Sequence, residues 1–275
     1  MENLWKGLKE HKTFRFTTLL VVLLIALVVL APVIAPYNPL EAVMKDANQA
    51  PSMAHLFGTD KLGRDVLSRI LYGGAYSLSS VLALVVIIFC VGTFLGLVAG
   101  YFGGIIDTVI MRIADMMISF PGVILAIAIA GIMGGSLVNA MIALTAVTWT
   151  KYARLSRSMV LKIRKRDFVD AAIVSGGTSS HILWSHIMPN VVPILVITAV
   201  SDIGAMMMEL AGLSFLGFGS QPPAPEWGLM LNEGRQQLQT APWLMVFPGL
   251  AIFISVVIFN LWGDALRDVL DPRDN

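Results

Sequence analysis

Charge is what this sequence has least of. Only 13% of its 275 residues are Asp, Glu, Lys or Arg, about half of the roughly 25% that a soluble domain carries. A deficit of that size excludes an ordinary water-exposed surface. The net charge of +1 offers no basic footprint and points to no nucleic-acid partner. A single cysteine, Cys90, excludes an intrachain disulfide. Set in an apolar run, it reads as a small packing residue. The phosphate-binding pattern Gly-x-x-x-x-Gly-Lys-Ser/Thr is missing, so the chain is not expected to handle ATP itself. Histidine is scarce, and His181 and His186 do not have metalloprotease spacing, so no metal and no catalytic residue is assigned. Neither an internal repeat nor a low-complexity tail is present.

What fills the chain instead is apolar. Hydrophobic residues make up 56% of it, and residues 16–40, 70–106, 116–150 and 236–263 contain no charged side chain. About 20 apolar residues cross a bilayer as a helix, so each window holds at least one span. The windows are continuously apolar rather than alternating, which predicts helices and not a barrel. The reading is an all-α, polytopic membrane protein with six transmembrane helices, at about 17–36, 77–100, 116–133, 136–158, 189–212 and 243–263. Gly134-Gly135 separates the third from the fourth, and Pro121 sits near the start of the third, where a proline loses no hydrogen bond. The apolar run from Thr17 is too long for a signal-peptide core and is followed by no cleavage site, so it reads as a retained first helix.

Lys and Arg set the orientation. With the N-terminus inside, fourteen of the 19 fall on the cytosolic side and five outside. That bias places both termini and a loop at about 159–188 in the cytosol. Residues 37–76 then lie outside. There, Asp65 is predicted to cap a short helix whose Val66, Leu67, Ile70 and Leu71 share a face and which Gly73-Gly74 ends. Residues 105–118 form an amphipathic candidate before the third span. A second outer segment, 219–241, is stiffened by Gln221-Pro222-Pro223-Ala224-Pro225 and opens a short helix at Glu226-Trp227.

The cytosolic loop carries the most specific chemistry. After a basic run, Asp170-Ala171-Ala172 offers a helix-forming surface that a partner can approach closely. Gly176-Gly177 can end that helix in a left-handed conformation. Pro189 sets the kink or start of the fifth span. Asp170-Ala171-Ala172, Gly176 and Pro189, in that spacing, resemble the "EAA" coupling loop of membrane subunits of ATP-driven importers, with Asp170 in place of the glutamate. Other segments resemble the C-type permease subunit of the dipeptide, oligopeptide and nickel branch of that family. They are Gly58-Thr59-Asp60-Lys61-Leu62-Gly63-Arg64-Asp65 with Ser68-Arg69, Leu213-Ser214-Phe215-Leu216-Gly217-Phe218-Gly219, Glu226-Trp227-Gly228, Gly263-Asp264-Ala265-Leu266-Arg267-Asp268 and Leu270-Asp271-Pro272. Tyr76 stands where relatives often carry an arginine and receives no role.

The resemblance implies a type I importer transmembrane fold. It divides the chain into an N-terminal part (1–75) with the first helix and an outer segment, a transmembrane core (76–265) with the coupling loop, and a cytosolic tail (266–275). It implies residence in a prokaryotic cytoplasmic (inner) membrane. The implied partners are a homologous second permease, two ATPase subunits that hold ATP and Mg, and an extracytoplasmic solute-binding protein; the chain itself needs no cofactor. An ion-driven secondary transporter is the rival reading, and it needs intramembrane ionisable groups. Asp202 and Glu209 are the candidates for such groups. With Met206 they are also the candidates for a translocation path, although packing explains Asp202 as well and methionines more often fill gaps than bind metal. Asp202-Ile203-Gly204-Ala205-Met206-Met207 is similar to nickel-type members, so the expected cargo is nickel or a related transition-metal complex, with di- and oligopeptides as the alternative.

Overall fold

Long helices dominate the computed structural model, which describes residues 11–270. In chain order they are α1 (Lys12–Val29), α2 (Ala31–Ile34), α3 (Val66–Phe102), α4 (Gly104–Ile118), α5 (Gly122–Met133), α6 (Leu137–Ile163) and α7 (Asp167–Val174). Then come α8 (Ser179–Phe215), whose second turn is a π-helical stretch at Ile182–Ile187, α9 (Trp227–Gly234) and α10 (Trp243–Leu270). No strand occurs among the described residues; Thr59 and Asp65 form a lone antiparallel bridge. The all-helical reading therefore holds.

The spans differ from the six expected. Among the described residues, α1, α3, α8 and α10 are long and apolar enough to cross a membrane, and a fifth span results if α4 and α5 are counted as one broken helix. The expected third span, 116–133, is not straight: α4 and α5 meet at a bend of 93°. Pro121 stands in that break, where its ring cannot continue a helix. The expected fourth span, 136–158, lies in α6, whose later turns carry Lys151, Arg154 and Arg157 and dilute its hydropathy. The turn at Gly134-Gly135 is as expected. Gly134 has φ +87°, and Asn139 Nδ2 donates to the exposed carbonyls of Met133 (2.9 Å) and Gly134 (3.0 Å).

Of two expected helix boundaries one holds and one moves. Asp65 does cap α3: its Oδ2 accepts from Ser68 N (2.8 Å) and Ser68 Oγ (2.7 Å). Gly73-Gly74 does not end that helix, which runs unbroken to Phe102. These glycines serve close packing instead. A Cβ at Gly73 would lie 2.0 Å from Pro225 O, and one at Gly74 would lie 2.5 Å from a Val28 methyl. Cys90, expected inside, faces outward among the exposed apolar residues of α3.

The chain divides into two compact units. One comprises the described part of Met1–Ala83, with Ile129–Ile142 and the described part of Val200–Asn275. In it α1 packs on α10 through Phe14, Ala265 and Leu266, and Trp262 Nε1 donates to Thr18 Oγ1 (3.1 Å). The other comprises Leu84–Ala128 and Ala143–Ala199. There Gly92, Gly96 and Gly100 form a small-residue stripe against α6, with Cβ positions 2.5 Å from Trp149 O, 2.3 Å from Ala153 O and 2.8 Å from Val160 Cβ. Such stripes let apolar helices approach backbone to backbone where burial from water provides no drive. Ser156 Oγ donates to Thr93 O at the same seam (3.2 Å). Ion pairs of Arg157 with Asp107 and Arg154 with Asp115 fasten α6 to α4.

Candidate functional site

The coupling candidate lies in the second unit and is built from α7 and the start of α8. Arg166 precedes α7 with extended backbone, and Asp167 and Asp170 occupy its first turn, where carboxylates oppose the positive end of the helix dipole. Its end is a hydrogen-bonded stop. Gly176 has φ +81°; its N–H donates to Ile173 O (3.0 Å), and Gly177 N–H donates to Ala172 O (3.0 Å). These are the two bonds of a Schellman motif, and its pivot needs a residue free to take positive φ. The glycine stop read from the sequence is therefore present at Gly176.

The start of α8 supports α7 from below. Thr178 Oγ1 accepts from His181 N (3.3 Å), capping the first turn, and α7 packs against the π-helical stretch Ile182–Ile187. Val169 is fully buried, as are Ile182, Leu183 and Ile187 on the supporting side. Everything else on α7 faces away. Asp170 and Ala171 are exposed and Ala172 is half-buried. Phe168 and Ile173 are about half exposed, and Val174 reaches 86%. A short helix that follows a basic run thus turns an aromatic and two β-branched side chains to water.

Of the two readings of Pro189, kink or start, the start fails. It does not open the fifth span, because α8 begins at Ser179, ten residues earlier. It stands two residues past the last residue of the π-helical stretch, Ile187. In a regular α-helix its ring would press on the carbonyl four residues before it; a wide turn at that point is one of the recognised ways a helix accommodates an irregularity. His181, just before this stretch, and His186 on it have ring centroids 5.5 Å apart, and Ser185 Oγ lies 3.3 Å from His181 Nδ1.

The path candidates share α8 but not its surroundings. Asp202, Met206 and Glu209 recur at helical spacing on one stripe. Asp202 and Glu209 are half-buried, whereas Met206 is enclosed by its own chain at 5% exposure. The outward methionine of the cluster is Met208, which lines an apolar cavity of about 470 Å³ with Gly212, Phe215, Leu231 and Phe253. Sequence reasoning missed this distinction, since adjacent helical residues point about 100° apart and only the neighbours decide which is covered.

The motif residues Asp60, Arg64 and Arg69 form a buried ionic cluster in the first unit. Asp60 Oδ2 accepts from Arg64 Nε (2.6 Å) and Arg69 Nη1 (2.6 Å), while Glu233 of α9 receives Arg64 Nη2 (3.2 Å) and Arg69 Nη1 (2.9 Å). Both arginine side chains are almost wholly enclosed. Gly63 permits the turn: its φ is +75°, and a Cβ there would fall 1.9 Å from Val43 O. The loop is thereby tied to α9, whose start is held by Glu226. That carboxylate accepts from Gly228 N and Leu229 N (both 2.8 Å), and Trp227 Nε1 reaches Ile70 O (2.9 Å). Burial pushes the Glu226 carboxyl above the usual range, partly offset by the hydrogen bonds it accepts. The partnership with Glu233 had no signal in the sequence, as it joins positions 169 residues apart. The Gly92-x-x-x-Gly96-x-x-x-Gly100 stripe did have one, the small-residue spacing of packed apolar helices.

Comparison with known proteins agrees with this arrangement. A family model described as the binding-protein-dependent transport system inner membrane component matches residues 92–274, and one described as the N-terminal TM domain of oligopeptide transport permease C matches residues 1–51. The dipeptide transport system permease protein of Alkalihalophilus pseudofirmus is 41% identical, over 98% of this chain and 88% of its own. The glutathione transport system permease protein of Pectobacterium atrosepticum is 43% identical over 98% and 90%. The nickel transport system permease protein of Escherichia coli is 42% identical over 94% and 95%. Among solved structures, an inward-facing form of the methionine ABC transporter MetNI matches with a TM-score of 0.56 at 20% identity, covering 71% of this chain and 93% of that one, which supports the fold. The chain belongs to the binding-protein-dependent transport system inner membrane components, as a permease subunit of an ABC importer of the peptide and nickel branch.

Proposed function

We propose that this chain forms half of a translocation pore and that α7 is its coupling helix, docking into a separate ATPase. The observation that carries this reading is the form of α7: stopped at Gly176, seated by Val169, and turning Phe168, Ala171, Ile173 and Val174 outward. The other half of the pore is a homologous second permease. Two ATPase subunits bind ATP and Mg, and an extracytoplasmic solute-binding protein delivers cargo. The Lys and Arg bias supports placing both termini and residues 159–188 in the cytosol of a prokaryote, beneath its inner membrane. Asp170, Ala171 and Ala172 make the close contact, Gly176 fixes where the helix ends, and Pro189 with the π-helical turn passes movement into α8.

The test is Gly176→Val. No neighbour obstructs a side chain there, so the substitution acts through backbone strain alone, about 1–2 kcal/mol for a residue forced left-handed. We expect normal abundance of the assembled transporter and loss of transport and of cargo-stimulated ATP hydrolysis. Full activity in this variant would remove the coupling role.

For the cargo we propose nickel or a related transition-metal complex whose ligands come from a small molecule. Asp202 and Glu209 would be the polar groups along the path, and Met206 would pack behind them. The similarity of Asp202–Met207 to nickel-type members and the 42% identity to a nickel permease support this. Short peptides are the second reading, favoured by relatives of equal identity named for dipeptide and for glutathione. Uptake of radioactive nickel, labelled dipeptide and labelled glutathione in cells lacking and regaining this subunit decides between them. Restored peptide uptake without nickel uptake would sink the metal reading and leave the permease intact.

A further inference from the structure

The C-terminal ends of α3 and α6 meet in the second unit, and the cations gathered there have no part in the coupling contact. Arg164 follows α6 directly. Its N–H donates to Val160 O (2.8 Å), and its Nη1 donates to Tyr101 O (2.8 Å) in the last turn of α3. The guanidinium carbon also lies 5.6 Å from the centroid of the Tyr101 ring. Arg166 N–H donates to Ile163 O (3.0 Å), so the backbone is fixed on both sides of Lys165. Lys162, Arg164, Lys165 and Arg166 are all exposed. None of the four has a carboxylate within ion-pair distance among the described residues. Asp167 and Asp170, the nearest acids in the chain, belong to the first turn of α7.

Apolar side chains accompany these cations. Tyr101 is buried, but Phe102, set edge-on to it with centroids 5.2 Å apart, is about half exposed. Ile105 and Ile106 lie in the first turn of α4, and Ile105 is 83% exposed. Residues 70–106 hold no charge, so Tyr101 and Phe102 stand where the apolar run of α3 closes. Aromatic rings favour that level, beside the lipid headgroups. Arg164, tied to Tyr101, is held at the same depth. Unpaired cations and exposed apolar surface at one level match a phospholipid with a negative headgroup. Arg164 gives one of its five N–H donors to Tyr101 O, which leaves others for a phosphate, a group that arginine meets with parallel N–H bonds. Lys162 and Lys165 add charge beside it, and Phe102 and Ile105 offer a surface to the acyl chains. The acidic face of a soluble protein would suit the cations and leave those apolar side chains without a match.

We propose that Lys162, Arg164 and Lys165, with Phe102 and Ile105, form a binding site for an anionic phospholipid of the inner leaflet. The site immediately precedes α7, so a bound headgroup steadies the residues that lead into that helix. The proposal rests on the reading of residues 159–188 as cytosolic. Ser175→Cys, in a chain whose Cys90 is replaced by Ser, tests that reading separately: labelling by an impermeant maleimide in intact cells would refute the orientation.

The site itself is tested on the complete transporter, titrated in detergent with phosphatidylglycerol or phosphatidylcholine while bound lipid is counted by native mass spectrometry. Phosphatidylglycerol should bind in preference. Lys162→Gln combined with Lys165→Gln removes two side chains without a hydrogen bond among the described residues. It should raise the phosphatidylglycerol concentration needed for half occupancy about thirtyfold, the effect of two cations lost near an anionic surface. Equal binding of the two lipids, or an unaltered titration in the variant, overturns the proposal. Loss of the ATPase subunits from the variant with its lipid binding intact also overturns it, and assigns the cations to a protein partner. A benzophenone amino acid at position 105 reports on the apolar half. Irradiated in phosphatidylcholine vesicles containing phosphatidylglycerol, it should join phosphatidylglycerol more often than that lipid's share of the vesicle. Adducts in proportion to that share overturn the site as drawn.

Discussion

Residues 37–65 and residues 164–187 both connect long helices, and they reach order by different means. The outer segment is almost without helix, so its backbone groups cannot satisfy one another in a ladder and must find partners elsewhere. It finds them in side chains: Ser68 Oγ for Tyr37 N, Thr59 Oγ1 for Gln49 N, Asp60 Oδ1 for Leu62 N and Arg64 N. Asp60, Arg64, Arg69 and Glu233 then bury their charges together, where each must keep its counter-ion. The second segment has its backbone bonds inside α7 and the Schellman stop. It needs no buried charge and is seated by apolar contact at Val169. The first arrangement resists any displacement that separates charges; the second lets a short helix move as one piece on an apolar seat. On the proposed coupling role, a loop that keeps its shape and a helix that transmits a push would call for that difference.

Asp60→Ala breaks the comparison on its outer side and should have the largest effect. It leaves Arg64 and Arg69 enclosed with Glu233 as their remaining carboxylate. Removing one partner from a buried pair costs about 3–5 kcal/mol. The purified protein in detergent should unfold at a clearly lower temperature, and Glu233→Gln should reproduce part of the loss. If Asp60→Ala unfolds with the unaltered protein, the cluster does not hold the outer segment.

On the inner side, Val169→Ala should cost less, about 1–2 kcal/mol for the methyl groups removed from a buried site. The loss should stay local, because the segment opens without pulling charges apart. Amides of residues 167–177 should exchange about tenfold faster while global unfolding is unchanged, since 1.4 kcal/mol is a factor of ten. A fall in global stability as large as that of Asp60→Ala would erase the distinction between the two segments.

How much of this could be read from the sequence follows the same division. Local features were legible: the Asp65 cap, the Gly134 turn, the opening of α9 at Glu226 and the stop at Gly176 each depend on a few neighbouring residues. Features that depend on distant partners were not. Gly73-Gly74 looks like a helix end, yet the carbonyl of Pro225 and the side chain of Val28 make it a contact point. Pro189 looks like the kink or the start of a span, and the helix that holds it begins at Ser179, ahead of a π-helical turn. The apolar run at 116–133 looks like one span, and only the backbone shows the 93° bend. Of the candidate path, spacing put Asp202, Met206 and Glu209 on one stripe but left open which methionine is covered.

Glu226 offers the smallest effect and the finest test, because it is an enclosed carboxylate of the first unit without a counter-ion contact among the described residues. Burial raises its pKa above the ordinary carboxylate range, and the N–H groups of Gly228 and Leu229 with the Ser77 and Ser214 hydroxyls only partly offset this. The sign follows by linkage. Below the unfolded-state pKa the carboxyl is protonated whether folded or not, and its enclosure carries no charge penalty. As pH rises from that value through the raised folded pKa, the unfolded chain ionises first and stability falls; above the folded pKa the loss is complete. Glu226→Gln should therefore flatten the decline in unfolding temperature from the ordinary carboxylate pKa up to neutral pH. At low pH the two proteins should be alike, because a protonated carboxyl, like a carboxamide, offers one carbonyl acceptor to the cap of α9. The unfolding temperature of both proteins, followed from about pH 4 to pH 8 in one detergent, decides it. Parallel curves would mean that α9 is held by its hydrogen bonds alone and that enclosure of the carboxylate carries no penalty.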